Sequence, residues 1–253
     1  MPLYVQTEFA PNAVQPMQCV KDGWNVIKDQ YWLFVGIALV GLLVGQLAPM
    51  GILMPPMLCG VYLSLFERMK GRQIEFGELF KGFDYFGQSV IAWLLHLVPV
   101  LVITLPLVAI IFASSIFLAP KPGEQNDAGV AVIVVFAIIM SLILVVISLV
   151  IATLFTFAFP LIVDRKLSGV DAVKLSMKAG LANFWGLLGL FLLVALMTLA
   201  GALFCYVGAF LVMPIGYAAQ ACAYREVFGL TQPDAFSPPP PPASFAGEKP
   251  YMA

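Results

Sequence analysis

The stretch Val130–Val163, VAVIVVFAIIMSLILVVISLVIATLFTFAFPLIV, runs for 34 residues without one charged side chain. A helix needs about 20 apolar residues to cross the hydrocarbon layer of a bilayer. As one helix this run would be about 50 Å long, more than a bilayer needs, so it must tilt strongly, project beyond the membrane or bend. Three other uncharged runs accompany it. Tyr31–Phe66 is long enough for two short helices that break near Ala48-Pro49-Met50-Gly51. Val90–Pro120 carries Pro99 and Pro106, which kink a membrane helix rather than end it when neighbours satisfy the freed carbonyls. Phe184–Tyr224 suits two helices hinged near Cys205–Gly208. The expectation is an all-α integral membrane protein with about six transmembrane helices arranged as three hairpins.

Composition supports this. Hydrophobic residues make up 61% of the 253-residue chain and charged residues 11%, against about 45–50% and 25% in soluble domains. No soluble fold of this length hides so much apolar surface. The net charge of -1 lacks the basic excess that nucleic-acid binding needs. Cys19, Cys59, Cys205 and Cys222 show no paired spacing and read as small packing residues, not as a disulfide or zinc set. No short basic region precedes the first apolar run and no A-x-A site follows it, so a cleaved signal peptide is not expected.

Basic residues set the direction. Lys21, Lys28, Arg68, Lys70, Arg72, Lys81, Arg165, Lys166, Lys174, Lys178, Arg225 and Lys249 fall on one side, twelve of the thirteen, and Lys121 alone on the other. Both termini are therefore expected in the cytoplasm, with the hairpin tips outside.

Each hairpin is preceded by an amphipathic stretch. Val20, Trp24, Ile27 and Tyr31 recur at helical spacing before the first, with Lys21, Asn25 and Lys28 on another face. Phe76, Leu79, Phe80 and Phe83 do so before the second, with Glu75 and Glu78 turned away. Val170, Val173, Met177 and Leu181 form a stripe before the third, beside Asp171, Lys174 and Lys178, with Ser168 as N-cap. Such segments read as helices lying in the cytoplasmic interface, or as ordinary soluble helices packed on the membrane domain. Trp24, Phe76, Phe80, Phe83, Lys174 and Lys178 are the candidate lipid contacts.

Hairpins one and three also resemble each other. Tyr31-Trp32-Leu33-Phe34-Val35-Gly36 parallels Phe184-Trp185-Gly186-Leu187-Leu188-Gly189, and Met54-Pro55 parallels Met213-Pro214. Glu67-Arg68 with Gly71 then matches Arg225-Glu226 with Gly229. The organisation that follows is an N-terminal cytoplasmic segment (1–15), a membrane domain (16–230) of parallel repeats (16–66, 73–163, 168–226), and a tail (231–253). The tail holds Pro233, the run Pro238–Pro242, Phe236 and Phe245, too little apolar surface to fold alone, and is expected to be disordered.

Sites for chemistry are few. An ionisable group deep in lipid is a functional hypothesis by default, and His96, two turns into the third helix, is the single case. The plainer reading pairs it with backbone or with a hydroxyl such as Thr104 or Tyr62. No Asp, Glu, Lys or Arg lies inside a span, which argues against proton- or sodium-coupled transport. Pro55-Pro56 removes two ladder donors, so a helix through it is broken and lines a cavity or serves packing. The carboxylates Glu67, Glu75, Glu78, Asp84, Asp164 and Asp171 alternate with Lys and Arg as on a solvated face. One histidine assembles no nucleophilic triad, and no HExxH, P-loop or dinucleotide fingerprint occurs.

At Phe159-Pro160-Leu161-Ile162-Val163-Asp164-Arg165-Lys166, followed by Asp171-Ala172-Val173-Lys174-Leu175-Ser176 and, at the last helix, Tyr224-Arg225-Glu226, the chain resembles a group of bacterial inner-membrane proteins. These are the YciC-type proteins and the membrane domain fused to some glycerophosphodiester phosphodiesterases. The likeness covers most of residues 20–230 and implies an inner-membrane location and six helices. It transfers no catalytic residues, and nothing here corresponds to the phosphodiesterase barrel. The expected function is non-enzymatic and without cofactor: a scaffold, assembly factor or accessory subunit that contacts lipid and a membrane-protein partner or further copies of itself. The alternatives are a transporter or channel for an apolar or lipid-like solute, and a lipid-modifying enzyme.

Overall fold

A computed structural model describes residues 8–117, 127–203 and 207–231. Lys121, Lys249, Cys205 and the proline-rich tail beyond Thr231 lie outside the described residues. All regular structure within them is helical. In order come α1 (Pro16–Ile27), α2 (Tyr31–Leu47), α3 (Met54–Met69), a 3₁₀ helix (Phe76–Tyr85), α4 (Phe86–Phe117), α5 (Asp127–Phe155), α6 (Ala158–Arg165), α7 (Gly169–Ala182), α8 (Phe184–Leu203) and α9 (Val207–Phe228).

Local chemistry explains the boundaries. The break expected near Ala48–Gly51 is a tight turn in which Gly51 N–H donates to the Ala48 carbonyl at 3.1 Å. Pro55 and Pro56 do not interrupt a helix, as the sequence reading had it. They occupy the first turn of α3, where a free N–H would have no partner anyway. The Val130–Val163 run does bend. α5 stops at Phe155 and α6 starts at Ala158, because the Ser176 hydroxyl enters the ladder, donating to Leu154 O (2.8 Å) and accepting from Phe157 N (3.1 Å). Ser168 caps α7 as expected, accepting from Asp171 N at 3.2 Å. After α3 and α9 the chain turns through Gly71 (φ 82°) and Gly229 (φ 70°), the left-handed conformation that favours glycine.

Among the described residues five helical stretches are long and apolar enough to cross a membrane: Pro16–Leu47, Phe76–Ser114, Val134–Arg165, Phe184–Leu203 and Val207–Phe228. α3 is not one of them. Its 16 residues include Glu67 and Arg68 and make about 24 Å of helix. It is instead largely enclosed, with Met57, Cys59, Val61, Tyr62, Leu65 and Phe66 all buried. An aromatic core forms where α3, α6 and α9 end: the Tyr224 ring lies 5.2 Å from Phe66 and 5.1 Å from Phe228, and Phe157 lies 5.5 Å from Phe228.

The helices associate in pairs, α2 with α3, α4 with α5 and α8 with α9. Each amphipathic segment then docks on the pair that precedes it in the chain. The 3₁₀ helix packs on α2 and α3, and α7 packs on α4 and α5. α1 has no preceding pair and packs on α8 and α9, closing the order into a ring. In packing terms each pair is thus covered by the segment that follows it. A glycine makes each dock close. A methyl group on Gly23 would lie 2.7 Å from Ala219 N, one on Gly180 2.7 Å from Thr153 O, and one on Gly82 would overlap Pro56 O and Gly60 N.

Candidate lipid-facing site

Residues 75–86 carry the most organised surface. A 3₁₀ helix repeats every three residues, so positions i and i+3 eclipse. Its ten residues therefore present three separate rows. Leu79 and Gly82 face α3 and are buried, with Tyr85 next in that row. Glu78, Lys81 and Asp84 form a charged row in which Lys81 Nζ bonds Glu78 Oε1 at 2.6 Å. Gly77, Phe80 and Phe83, continued by Phe86 at the start of α4, form an apolar row that stays partly exposed. Phe80, Phe83 and Phe86 are 43%, 37% and 38% exposed, and Phe76, against Phe80 at 6.3 Å between rings, is 39% exposed. One row meets protein, one suits water and one suits oil.

The other two segments show the same division more loosely. In α1 the small residues Cys19 and Gly23, with Ile27, face inward, while Trp24 stands outside, its ring 5.4 Å from that of Tyr31. In α7 the buried side is Ala172, Val173, Leu175, Ser176 and Ala179. Val170, Met177 and Leu181, assigned to the stripe with Val173, are exposed, as are Lys174 and Lys178. The larger side chains of each expected stripe thus point mostly outward and the small ones hold the segment to the protein. Packing demands this, since backbones approach closely only where side chains are small. The glycines were visible in the sequence, but their partners sit far along the chain.

The charged groups at the ends of α3, α6 and α9 tie elements together. Asp164 accepts from Tyr224 Oη (2.8 Å) and from Thr231 Oγ1 (3.1 Å). Arg165 donates to Phe228 O at 2.8 Å and lies over its ring. Arg225 pairs with Asp22 at 3.1 Å and Arg68 with Asp29 at 2.9 Å, while the Cys19 thiol donates to Glu226 at 3.2 Å. Asn183 holds the segment before α1, accepting from Ala13 N (2.8 Å) and donating to Ala10 O (3.1 Å). The carboxylates singled out in the sequence are not gathered: Glu67 sits with Lys70 and Arg72, Glu78 with Lys81, and Asp171 with Ser168. Among the described residues no group of three or more His, Cys, Asp or Glu side chains has metal-binding geometry.

His96 packs edge-on against Phe155, ring centroids 4.6 Å apart, and its Nδ1 is buried without a hydrogen-bond partner. Neither Thr104 nor Tyr62 serves it; the Tyr62 hydroxyl donates instead to Gln220 Oε1 at 2.7 Å. Pro55 and Pro56 are buried beneath the 3₁₀ helix, and the broad open cleft nearby, about 600 Å³, is lined by Gln46, Leu47, Ala48, Pro49, Gly51, Met54 and Trp93.

No family model, no curated protein and no solved structure matches the chain.

Proposed function

We propose that the protein is a non-catalytic, multi-pass scaffold or accessory subunit of a bacterial inner membrane, which contacts lipid at the cytoplasmic surface and holds a membrane-protein partner or another copy of itself. The observation that carries this reading is the exposed pair Phe80 and Phe83, continued by Phe86 at the start of α4 and set between a docked row and a charged row of the short 3₁₀ helix. Lipid is the medium in which such a surface is stable. The one-sided distribution of Lys and Arg supports cytoplasmic termini, and the resemblance at Phe159–Lys166 supports the inner membrane and the six-helix arrangement in three pairs. Copurification from native membranes at low detergent tests it. A stoichiometric partner, a homo-oligomer or a retained lipid class is the expected outcome. A monomer that retains neither partner nor lipid contradicts the proposal.

A second reading has one observation in its favour. The buried, unpartnered Nδ1 of His96 is an ionisable group at membrane depth, the kind that marks a transport role, here for an apolar or lipid-like solute. Flux through liposomes that falls on His96→Ala supports this reading; unchanged flux removes it.

A further inference from the structure

The charged row of the 3₁₀ helix fixes how deep α2 and α3 go. Phe76 touches Gly36, Leu79 touches Gly41 and Gly60, and Gly82 lies against Pro56 and Gly60. The segment thus climbs along the pair from its base almost to its tip. Lys81, whose side chain is 58% exposed, and Asp84, also exposed, end up beside the first two turns of α3. Even from the level of Leu79, below Lys81 and Asp84, only Gly41–Leu47 on α2 and Met54–Gly60 on α3 remain, six residue steps each. Six steps of helix rise about 9 Å, and the hydrocarbon layer is about 30 Å thick. Charges that stay in water leave this pair too short to reach the far side.

Two independent features agree. α2 belongs to a stretch apolar enough to cross, but α3, which must bring the chain back, does not qualify. The reversal between them is also short of donors. Pro49, Pro55 and Pro56 have no N–H, Gly51 N–H is bonded to Ala48 O, and Met57 N–H to Leu53 O. Irregular backbone at membrane depth must be covered by protein or line a cavity, and each proline removes one donor that would need such cover.

We propose that α2 and α3 form a re-entrant pair. The pair enters from the face that carries Glu78, Lys81 and Asp84, turns at residues 48–53 near the midplane and leaves through the same face. It displaces one leaflet only. The turn borders the open cleft lined by Gln46, Met54 and Trp93. α4 and α5, at 32 and 29 residues, cross fully next to it. The inference rests on the membrane location proposed above and not on the scaffold role, and it leaves both termini on one side.

Single cysteines placed in the full chain at Leu47 and Ile52, both exposed, test it in sealed vesicles of each orientation. An impermeant maleimide is added to one face at a time, with the unsubstituted chain as blank. Lys81→Cys reports access from the inner face and Asp127→Cys from the outer. A re-entrant pair leaves Leu47→Cys and Ile52→Cys at least about tenfold slower than either control from both faces, while a permeant maleimide labels them, because water is scarce at that depth. Labelling of Ile52→Cys from the Asp127 side at the control rate overturns the proposal, since the pair then crosses. Labelling from the Lys81 side at the control rate also overturns it, since the pair then never enters. Spin labels at the two positions give a second readout: oxygen must outcompete a nickel chelate in relaxing them, and the reverse result rejects the proposal. The scaffold reading is judged separately by copurification, so the two fail independently.

Discussion

Gly82 and Gly77 are neighbours of the same type with opposite surroundings. A methyl group on Gly82 would overlap the backbone of Pro56 and Gly60, whereas around Gly77 nothing lies within 4 Å. Gly82→Ala should therefore cost about 1–3 kcal/mol, the usual penalty of overpacking. Gly77→Ala should stay within about 0.5 kcal/mol. Thermal unfolding of the two variants in one detergent measures the difference, and equal midpoints would contradict the docking geometry. Tyr224 offers a polar counterpart. Its buried hydroxyl donates to Asp164, so Tyr224→Phe removes a hydrogen bond to a carboxylate, worth about 1.5–3 kcal/mol. Thr231 keeps its own bonds to that carboxylate, and the expected result is a lower unfolding midpoint with an unchanged helical signal.

At the scale of elements, the 3₁₀ helix shows what sequence periodicity reveals and what it hides. At the 3.6-residue spacing of an α-helix, Phe76, Leu79, Phe80 and Phe83 form one face. The backbone repeats every three residues instead, so Leu79 turns to the protein while Phe80 and Phe83 turn away. Nothing in the residue pattern alone chooses between the two periods; contact of Gly82 with Gly60, 22 positions earlier, selects the tighter one. The apolar runs themselves were legible, because length and absence of charge are local properties. So were the ends at Gly71 and Gly229, since a positive φ leaves a glycine behind it. The exposed row predicts a double variant. Phe80→Asp with Phe83→Asp should reduce the lipid that copurifies with the protein while moving its unfolding midpoint in detergent little, within about 0.5 kcal/mol. A large loss of stability would mean that those rings pack on protein.

For the whole molecule, the docking order gives a test that no single substitution supplies. Residues 8–30 associate with the last pair: Ala10 N–H bonds Val227 O at 2.8 Å, and Arg225 pairs with Asp22 at 3.1 Å. A rearranged chain that starts at Tyr31 and carries residues 8–30 after Thr231, through a short Gly/Ser linker, places every amphipathic segment directly behind its host. It should fold with the native pattern of protease resistance; collapse of that pattern would show that covalent continuity between α1 and α2 matters more than the dock. The candidate site was only partly readable at this scale, because which helices meet depends on contacts between residues about 200 positions apart.

The same order has a consequence for synthesis. Gly23 leaves the ribosome long before the surface it fits, around Ala218 and Ala219 of α9. Until then the leading helix has nowhere to settle and keeps its inward side open to surveillance by chaperones and membrane proteases. A product truncated before Val207 would lack that surface altogether and leave the Gly23 side of α1 without its dock.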